Sequence, residues 1–378
     1  MTQHVAEERD AASIDEPIAP DVEREAALAA WMRDHGSVLI GFSGGVDSAY
    51  LACVAIEALG ADKVLAVIGR SASYPAEQWE RAREVADRFG VPVLELVTDE
   101  LNDARYAANP SNRCYFCKTE LWDVLVPVAR QRGLNVVVDG TNADDLADHR
   151  PGARAADEHG VRSPLAELGF TKAAIRRLSR ARSIPTWSQP SSPCLSSRIP
   201  YGTAVTIDRL RQIEQAEAAL RSAGVRGDMR VRYHGDLARV ELVADTIDAW
   251  LAARARPVVV RAVRSSGFAR VAIDLRGFRS GSLNVLGGVV AEPLVRARFA
   301  ASGDVAGFSE ALRQADLSCD VEARERLAVL RFADPDRIDA LRDPAPRSKI
   351  AEVARGQGFT HVAIEIGNAV DDAAVHRG

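Results

Sequence analysis

The sequence lacks the features that mark membrane, secreted and nucleic-acid-binding proteins. Its 378 residues contain no apolar run of about eighteen, which argues against a membrane-spanning helix. The five cysteines are odd in number and irregularly spaced, as expected of cytoplasmic thiols and not of a secreted disulfide framework. A net charge of −5 gives no electrostatic basis for general nucleic-acid binding. Because the first residues are acidic and contain no apolar signal segment, we expect a cytoplasmic protein with neither membrane nor nucleic acid as partner.

The length predicts two or three domains with ample hydrophobic cores. We expect a flexible N-terminal tail over 1–25 and a nucleotide-binding domain over 26–185. A small α+β domain is expected over 186–284, and a linker with a degenerate copy of that domain over 285–378.

Four short apolar segments in the first domain are typical of buried strands. They are Val38–Phe42, Val64–Ile68, Val93–Val97 and Val136–Val138. Helical patterns separate them, and strands that alternate with helices predict a doubly wound parallel sheet of the α/β class.

The first strand ends in Ser-Gly-Gly-Val-Asp-Ser, which predicts a phosphate-binding turn. Gly44 and Gly45 let the backbone turn sharply, and the following helix directs free N–H groups to the same point. Ser43 and Ser48 add hydroxyls. No lysine follows the glycines, so the turn is not the common P-loop. Asp47 is there instead, and an acid beside a polyphosphate indicates Mg²⁺.

Other candidate ligand residues follow the second and fourth strands, at the edge where open α/β sheets bind ligands. Gly69 ends the second strand and is predicted to border the nucleotide. Gly140 and Thr141 follow the fourth strand, and Arg150 is expected to meet a phosphate or a carboxylate. An ordinary polar loop of solvated acids is the alternative for this last segment.

Three cysteines lie in positions that favour chemistry. Cys114 and Cys117 form a CxxC at the start of a predicted helix, where thiol pKa values fall and thiolates become better nucleophiles and metal ligands. Cys194 lies in a Pro- and Gly-rich loop, and Arg198 nearby favours its thiolate. Two semi-buried thiols on a turn remain the alternative for the CxxC. Cys53, in an apolar helix, is interpreted as a small buried residue.

The C-terminal part of the chain contains a weak internal repeat. Strands at Met229–Tyr233 and Leu237–Val243 are predicted to form an antiparallel pair, and Ile247-Asp248-Ala249 recurs as Ile338-Asp339-Ala340. When the two copies are aligned at this spacing, three charged residues of the first copy correspond to apolar residues of the second. Arg230 aligns with Val321, Arg232 with Ala323 and Glu241 with Phe332. The copy is therefore interpreted as structural or as an oligomer contact.

Six motifs in order, SGGVDS, NRCYFCK, DGTNADDLADHRPG, SPLAELGFTK, PCLSSRIPYG and RVRYHGDLARVEL, resemble the LarE family from about Ala26 to Asn284. These are ATP-dependent sulfur insertases of nickel-pincer nucleotide synthesis, with a PP-loop ATP pyrophosphatase fold. The resemblance implies adenylation of a carboxylate of pyridinium-3,5-biscarboxylic acid mononucleotide, with release of pyrophosphate. A sulfur nucleophile then displaces AMP and leaves a thiocarboxylate, and a second round gives the bisthio product.

The resemblance also implies cofactors, ATP with Mg²⁺ and, in one branch, a [4Fe–4S] cluster that transfers a sulfide. That branch uses three cysteines, matched here by Cys114, Cys117 and Cys194. In the other branch the loop cysteine, here Cys194, gives up its own sulfur and becomes dehydroalanine. Contacts to Mg²⁺ and phosphate carry over to Glu217, Arg230, Arg232 and Glu241. We also expect an external sulfide or other sulfur donor, and a homo-oligomer.

Three alternatives remain open. A tRNA thiolase also joins a PP-loop to three cluster cysteines, but it requires a basic RNA-binding face. An ATP-dependent amide synthetase leaves the CxxC and Cys194 without a role. A nucleotide-binding regulatory module would bind ATP without releasing pyrophosphate.

Overall fold

The computed structural model describes residues 17–147, 151–190, 193–279 and 303–367. The chain divides into two compact units, Met1–Pro193 and Cys194–Gly378. Within the described ranges, no helix combines the length and apolarity needed to cross a membrane. Arg150, the candidate anion contact, lies outside the described residues.

The first unit alternates strands and helices. Its strands are β1 Val38–Gly41, β2 Val64–Arg70, β3 Val93–Val97 and β4 Val136–Val138. Its α-helices are α1 Ala19–His35, α2 Val46–Leu59, α3 Ala76–Phe89, α4 Ala104–Ala107, α5 Arg113–Gln131, α6 Pro151–Glu158, α7 Pro164–Glu167 and α8 Lys172–Ala181. The four predicted strands are confirmed to within two residues at each end.

The four strands form a parallel sheet in the order β3-β2-β1-β4. Alternate residues of β1 pack into two separate hydrophobic clusters. Val38 and Ile40 belong to a cluster with Leu28 of α1, whereas Leu39 belongs to a cluster with Trp122 of α5. Helices therefore cover both faces, as predicted for a doubly wound sheet. All four strands end at one edge, where the candidate ligand residues follow them.

The first helix begins inside the segment that the sequence assigns to a flexible tail. Residues 19–25, which the pattern assigns to a flexible tail, are the first turns of α1. The physical reason is an ion pair over a long sequence separation: the buried carboxylate of Asp21 accepts hydrogen bonds from Arg177 of α8 at 2.7 and 3.1 Å. A local pattern does not reveal such a contact.

The second unit is built on a mixed sheet in the order β5-β6-β7-β10-β9-β8. Its strands are β5 Arg230–His234, β6 Leu237–Glu241, β7 Arg270–Asp274, β8 Asp320–Arg324, β9 Leu327–Arg331 and β10 His361–Ile366. Its α-helices are α9 Ile207–Ser222, α10 Ile247–Leu251, α11 Arg256–Arg264, α12 Val305–Gln314, α13 Pro335–Ala340 and α14 Pro344–Gly356.

The order helix, hairpin, two helices and strand occurs twice in this unit, which confirms the predicted repeat. The two copies are halves of one sheet, because β7 and β10 pair antiparallel at its centre. The predicted correspondence of polar positions is wrong by one residue. Both hairpins have the same internal register, Arg230 facing Glu241 and Asp320 facing Arg331. The copy thus has an acid where the first hairpin has Arg230, and an arginine where it has Glu241.

The two faces of this sheet differ in chemistry. One row crosses all six strands and is entirely apolar: Val231, Val240, Ile273, Ile364, Leu330 and Val321. On the opposite face, Arg232 faces Arg239, which in turn faces Ala272, and Ala272 faces Glu365. Side chains of paired residues share a face, so one face carries this apolar row, while the other holds buried charges beside a smaller apolar cluster.

Two histidines on the charged face predict a pH-dependent stability. Burial, followed by nearby Arg239, lowers the pKa of both His234 and His361 well below 6.5. The unfolded chain therefore binds more protons than the folded chain below about pH 6.5, so the free energy of unfolding falls as the pH drops through that value. Each histidine contributes a slope of about 1.4 kcal/mol per pH unit.

Urea unfolding between pH 7.5 and 5.5 measures this slope. The substitutions His234→Gln and His361→Gln should each flatten it. A slope unchanged in both variants would contradict the assignment.

Candidate functional site

The turn after β1 forms an open cradle at the start of α2. We define the nucleotide cradle as Ser43, Gly44, Gly45, Asp47 and Ser48. Gly45 is the N-cap of α2, and no side chain caps the helix there. The Ser48 hydroxyl donates to the Gly45 carbonyl at 3.2 Å and lies 3.2 Å from the Ser43 hydroxyl. Within the described part of the chain, the first amides of α2 thus have no side-chain acceptor, which is the arrangement that binds an anion.

Glycine is required at two places around the nucleotide cradle. Gly44 has φ +68°, and a Cβ there would lie 2.4 Å from the Cβ of Ala82 in α3. A Cβ on Gly140, after β4, would lie 2.9 Å from the backbone nitrogen of Ser48. The backbone of two loops therefore closes on the helix N-terminus, which only glycine permits.

Asp47 and Lys172 form an ion pair in the nucleotide cradle, with Nζ 2.5 Å from Oδ2. Lys172 opens α8, where Thr171 caps the helix through Ala174 and Asp144 accepts from the Lys172 amide. The lysine missing from the turn is thus supplied from 125 residues further along the chain. From the sequence, Lys172 is expected either on a solvated helix face or in contact with a substrate phosphate, and its pairing with Asp47 is not predicted. The motif SPLAELGFTK, in which it lies, was the available signal.

The second oxygen of Asp47 is buried and has no hydrogen-bond partner among the described residues. A buried carboxylate oxygen without a partner is costly, because its hydration is lost and not replaced. It fits a divalent cation bound beside a polyphosphate, since Mg²⁺ takes one or two carboxylates together with phosphate oxygens.

The nucleotide cradle is supported from α3 and from the loop before it. Tyr74 Oη and Gln78 Nε2 both donate to the carbonyl of Ser43 at 2.9 Å. The Ser73 hydroxyl donates to the buried carboxylate of Glu100 at 2.7 Å, which ties this loop to the segment after β3. The Ser43 carbonyl is thus engaged by two side chains, which anchor the turn to α3 and to the loop before it.

Gly69 and Thr141 have local structural roles. A Cβ on Gly69 in β2 would lie 2.6 Å from Cδ1 of Leu121, so packing against α5 requires this glycine. Thr141 donates through its amide and hydroxyl to Asp139 at 3.1 and 2.9 Å. Their contact with a nucleotide stays a prediction.

The cysteines separate into two groups. Burial raises the pKa of Cys53 to about 12 and that of Cys319 to about 11, as expected of inert thiols, which confirms the interpretation of Cys53. In contrast, Cys114 is exposed and Cys117 half-buried, both near the start of α5. Accessible thiols at a helix N-terminus are the ones available for metals or nucleophilic attack.

The third candidate thiol lies at the start of the second unit. We define the thiol loop as residues Cys194–Arg198; Leu195–Arg198 is a single 3₁₀ turn whose N-cap is Cys194. The buried Arg198 donates to the Cys194 carbonyl at 3.0 Å and makes a bidentate pair with Glu217 at 3.1 and 3.2 Å. Glu217 also accepts from the Val231 amide at 3.0 Å, so the loop is fixed to α9 and β5.

Four further charged residues lie beside the thiol loop. Arg232 contacts one oxygen of Glu241 at 2.7 and 2.9 Å, and Arg239 contacts the other at 2.8 Å. Arg230 stacks over Phe278 at 4.9 Å; burial, then repulsion from Arg198, lowers its pKa to about 10. A buried cation of this kind favours an anionic ligand.

The predicted metal ligands Glu217 and Glu241 are thus both held by guanidinium groups. Among the described residues, no group of three His, Cys, Asp or Glu lies close enough together to hold a metal ion. Thiolates suit an iron–sulfur cluster chemically, and the two accessible thiols of α5 would supply part of such a donor set. The full ligand set stays a prediction.

Taken together, a parallel doubly wound sheet, a Ser-Gly-Gly-Val-Asp-Ser turn and an uncapped helix after it define a PP-loop type of nucleotide-binding α/β protein. The NAD synthase family model matches residues 29–112, the segment from α1 through the nucleotide cradle to the start of α5. An NH(3)-dependent NAD(+) synthetase of Chlorobaculum tepidum is 36% identical over 75 residues, 20% of this chain and 27% of that protein.

Two longer matches define the family. An uncharacterized protein of Synechocystis is 44% identical over 246 residues, 65% of this chain and 91% of its own length. The pyridinium-3,5-bisthiocarboxylic acid mononucleotide synthase of Lactiplantibacillus plantarum is 37% identical over 261 residues, 69% of this chain and 94% of its own length. The chain belongs to the family of this synthase, the LarE family, as its motifs indicate.

The close packing at Gly44 predicts a large effect of a single methyl group. Gly44→Ala places a side chain at positive φ, costing about 1–2 kcal/mol, and adds a clash with α3 of about 1–3 kcal/mol. Gly90→Ala is the matched control, since Gly90 is left-handed with φ +64° and a Cβ there would meet nothing in the described chain within 4 Å. Urea unfolding should show the larger loss for Gly44→Ala; equal losses would contradict the clash.

The ion pair between Lys172 and Asp47 predicts that the affinity for an anion depends on the positive charge at position 172. Lys172→Met leaves Asp47 uncompensated beside the anion site, so calorimetric binding of Mg²⁺-pyrophosphate should weaken by about tenfold or more. Lys172→Arg should retain most of the affinity, and Arg180→Gln, at the exposed end of α8, should retain all of it. Unchanged affinity in Lys172→Met would show that the lysine does not face the ligand.

Proposed function

We propose that this chain is an ATP-dependent sulfur insertase that converts pyridinium-3,5-biscarboxylic acid mononucleotide to its thiocarboxylate in nickel-pincer nucleotide synthesis. The observation that carries the proposal is the match to the Lactiplantibacillus plantarum synthase over 94% of its length, together with a nucleotide cradle of open amides. The product named for that relative contains two thiocarboxylates, so two rounds of the reaction are expected.

The nucleotide cradle supplies the first half of the chemistry. The amides of α2 and the ammonium of Lys172 would hold the β- and γ-phosphates of ATP, with Asp47 on the Mg²⁺. Pyrophosphate becomes a better leaving group when its charge is neutralised, so a substrate carboxylate can attack the α-phosphorus and form an acyl adenylate. A free carboxylate is a poor electrophile, whereas this mixed anhydride reacts readily with sulfur.

The thiols supply the second half. We propose that Cys114, Cys117 and Cys194 hold a [4Fe–4S] cluster, which would present an added sulfide to the acyl adenylate and displace AMP. The alternative is a sacrificial Cys194: its thiolate attacks the acyl carbon, AMP leaves, and elimination across Cα–Cβ releases the thiocarboxylate and leaves dehydroalanine. In either case Arg198, which donates to the Cys194 carbonyl, would hold the thiol loop in place. A sulfur donor and a homo-oligomer are also proposed.

The neighbouring activities are less well supported. A tRNA thiolase needs an RNA-binding surface, which a net charge of −5 does not favour. The NAD synthetase match extends over 20% of this chain, so it supports the PP-loop part alone.

One experiment tests the function. The protein is incubated anaerobically, after iron and sulfide reconstitution, with ATP, Mg²⁺ and the pyridinium dicarboxylate nucleotide, and both pyrophosphate and product mass are measured. We expect pyrophosphate release that depends on the nucleotide, and a product in which oxygen is replaced by sulfur. Pyrophosphate without a sulfur product would contradict sulfur insertion and favour an amide synthetase.

Cysteine variants separate the two sulfur sources. Cys114→Ala, Cys117→Ala and Cys194→Ala should each abolish the thiolate-to-iron absorption of the reconstituted protein, while Cys53→Ala and Cys319→Ala should retain it. A colourless wild-type protein whose Cys194 loses the mass of hydrogen sulfide after one turnover would overturn the cluster and support the sacrificial route.

A further inference from the structure

The thiol loop is held at two carbonyl groups by two arginines. Arg198 donates to the carbonyl of Cys194 at 3.0 Å, and Arg232 donates to the carbonyl of Ser197 at 2.9 Å. Within the loop, the Ser197 amide donates to the Cys194 carbonyl at 2.9 Å. The position of the Cys194 thiol therefore depends on where these two guanidinium groups are fixed.

Arg232 is fixed by a chain of buried charges, which we name the arginine relay: Arg232, Glu241, Arg239 and Asp274. Glu241 joins Arg232 to Arg239, and Arg239 also contacts Asp274 at 2.5 Å. The side chains of Arg239, Glu241 and Asp274 are completely buried. The relay thus runs from the interior strand β7 across β6 and β5 to the thiol loop.

Burying the charged side chains of the arginine relay on one face of the sheet costs free energy of desolvation. Burying charged groups costs desolvation that their attraction offsets only with good geometry, and apolar replacements often stabilise as well or better. The second copy of the repeat shows the apolar solution: Val329 occupies on β9 the place that Arg239 has on β6, and it is completely buried. Packing alone therefore does not require an arginine at this position.

We propose that Arg239 and Asp274 are positioning residues for the Cys194 thiol, acting through Glu241 and Arg232 on the Ser197 carbonyl. This inference deepens the proposed function and rests on it, because it assigns the buried charges to the sulfur-transfer step. It also explains why Glu241 and Arg232 engage each other: they orient the loop, in addition to any contact with a ligand.

Asp274→Asn tests the relay in the full chain. It keeps the shape of the side chain but weakens the hold on Arg239, so the thiol loop should open more often. The readout is hydrogen exchange at the Ser197 and Ile199 amides, which donate to the carbonyls of Cys194 and Ser196. Exchange there should accelerate by about tenfold, the effect of losing one charged hydrogen bond.

Glu365→Gln is the matched control. Glu365 occupies on β10 the place that Asp274 has on β7, as the ladder pairs Ala363–Asp274 and Glu365–Ala272 show. It binds Arg270 at 2.7 Å, and Arg270 in turn binds Glu322 of the second hairpin, so this ion-pair chain leads away from the thiol loop. The variant should therefore leave exchange at Ser197 and Ile199 unchanged.

Kinetics then separate the relay from the proposed function. Asp274→Asn should lower the rate of sulfur transfer about tenfold while the KM for ATP stays the same. Arg239→Lys keeps a charge but cannot reach both carboxylates in the same way. Arg239→Lys should also slow sulfur transfer without changing the KM for ATP. It serves as the test if Asp274→Asn does not fold.

The outcomes are distinct. Unchanged exchange at the thiol loop, or equal acceleration in Glu365→Gln, would overturn the relay. Accelerated exchange in Asp274→Asn in a protein that forms no sulfur product would retain the relay and overturn the proposed function.

Discussion

The close approach of two backbone segments to the N-terminus of α2 is the constraint on which the first unit depends. Gly44 has no room for a Cβ against α3, and Gly140 has none against the Ser48 amide. These contacts bring the carboxyl ends of β1 and β4 to a helix terminus that no side chain of the described residues caps. An anion is the partner that such a terminus lacks, and Lys172 adds the charge that the turn itself does not contain.

The second unit uses buried charge in a different way. One face of its sheet is an apolar row across all six strands, whereas the other places arginines and carboxylates in contact below the thiol loop. Arg198 with Glu217 and Arg232 with Glu241 both end on backbone carbonyls of that loop. The stability that these pairs add is modest, but their geometry fixes the one short segment that carries the Cys194 thiol.

Most of the fold could be predicted from the sequence because its signals are local. The apolar strands of the first unit, the glycine turn and the antiparallel hairpin of the second all lie in short patterns, and each is confirmed. The contacts that depend on distant residues were not predictable: Asp21 with Arg177, and Asp47 with Lys172, join helices more than a hundred residues apart. No periodicity records such a pair.

The repeat shows the same limit. Its existence follows from short shared motifs, but its register does not, because the segment between β6 and β7 differs in length by one residue from that between β9 and β10. Only the ladder shows that Asp320, and not Val321, corresponds to Arg230. The relay could not be anticipated either, since Arg239 and Asp274 have the pattern of ordinary alternating strand residues.

Binding of the pyrophosphate part of ATP by the open amides of α2 underlies the whole proposed reaction. An NMR titration of the ¹⁵N-labelled protein with Mg²⁺-pyrophosphate tests this binding most directly. The amides of Gly44, Gly45, Val46 and Asp47 should show the largest saturable shifts, while that of Gly60, at the other end of α2, should not move. Shifts confined to other parts of the chain, or no saturable shift at all, would contradict an anion site at the nucleotide cradle.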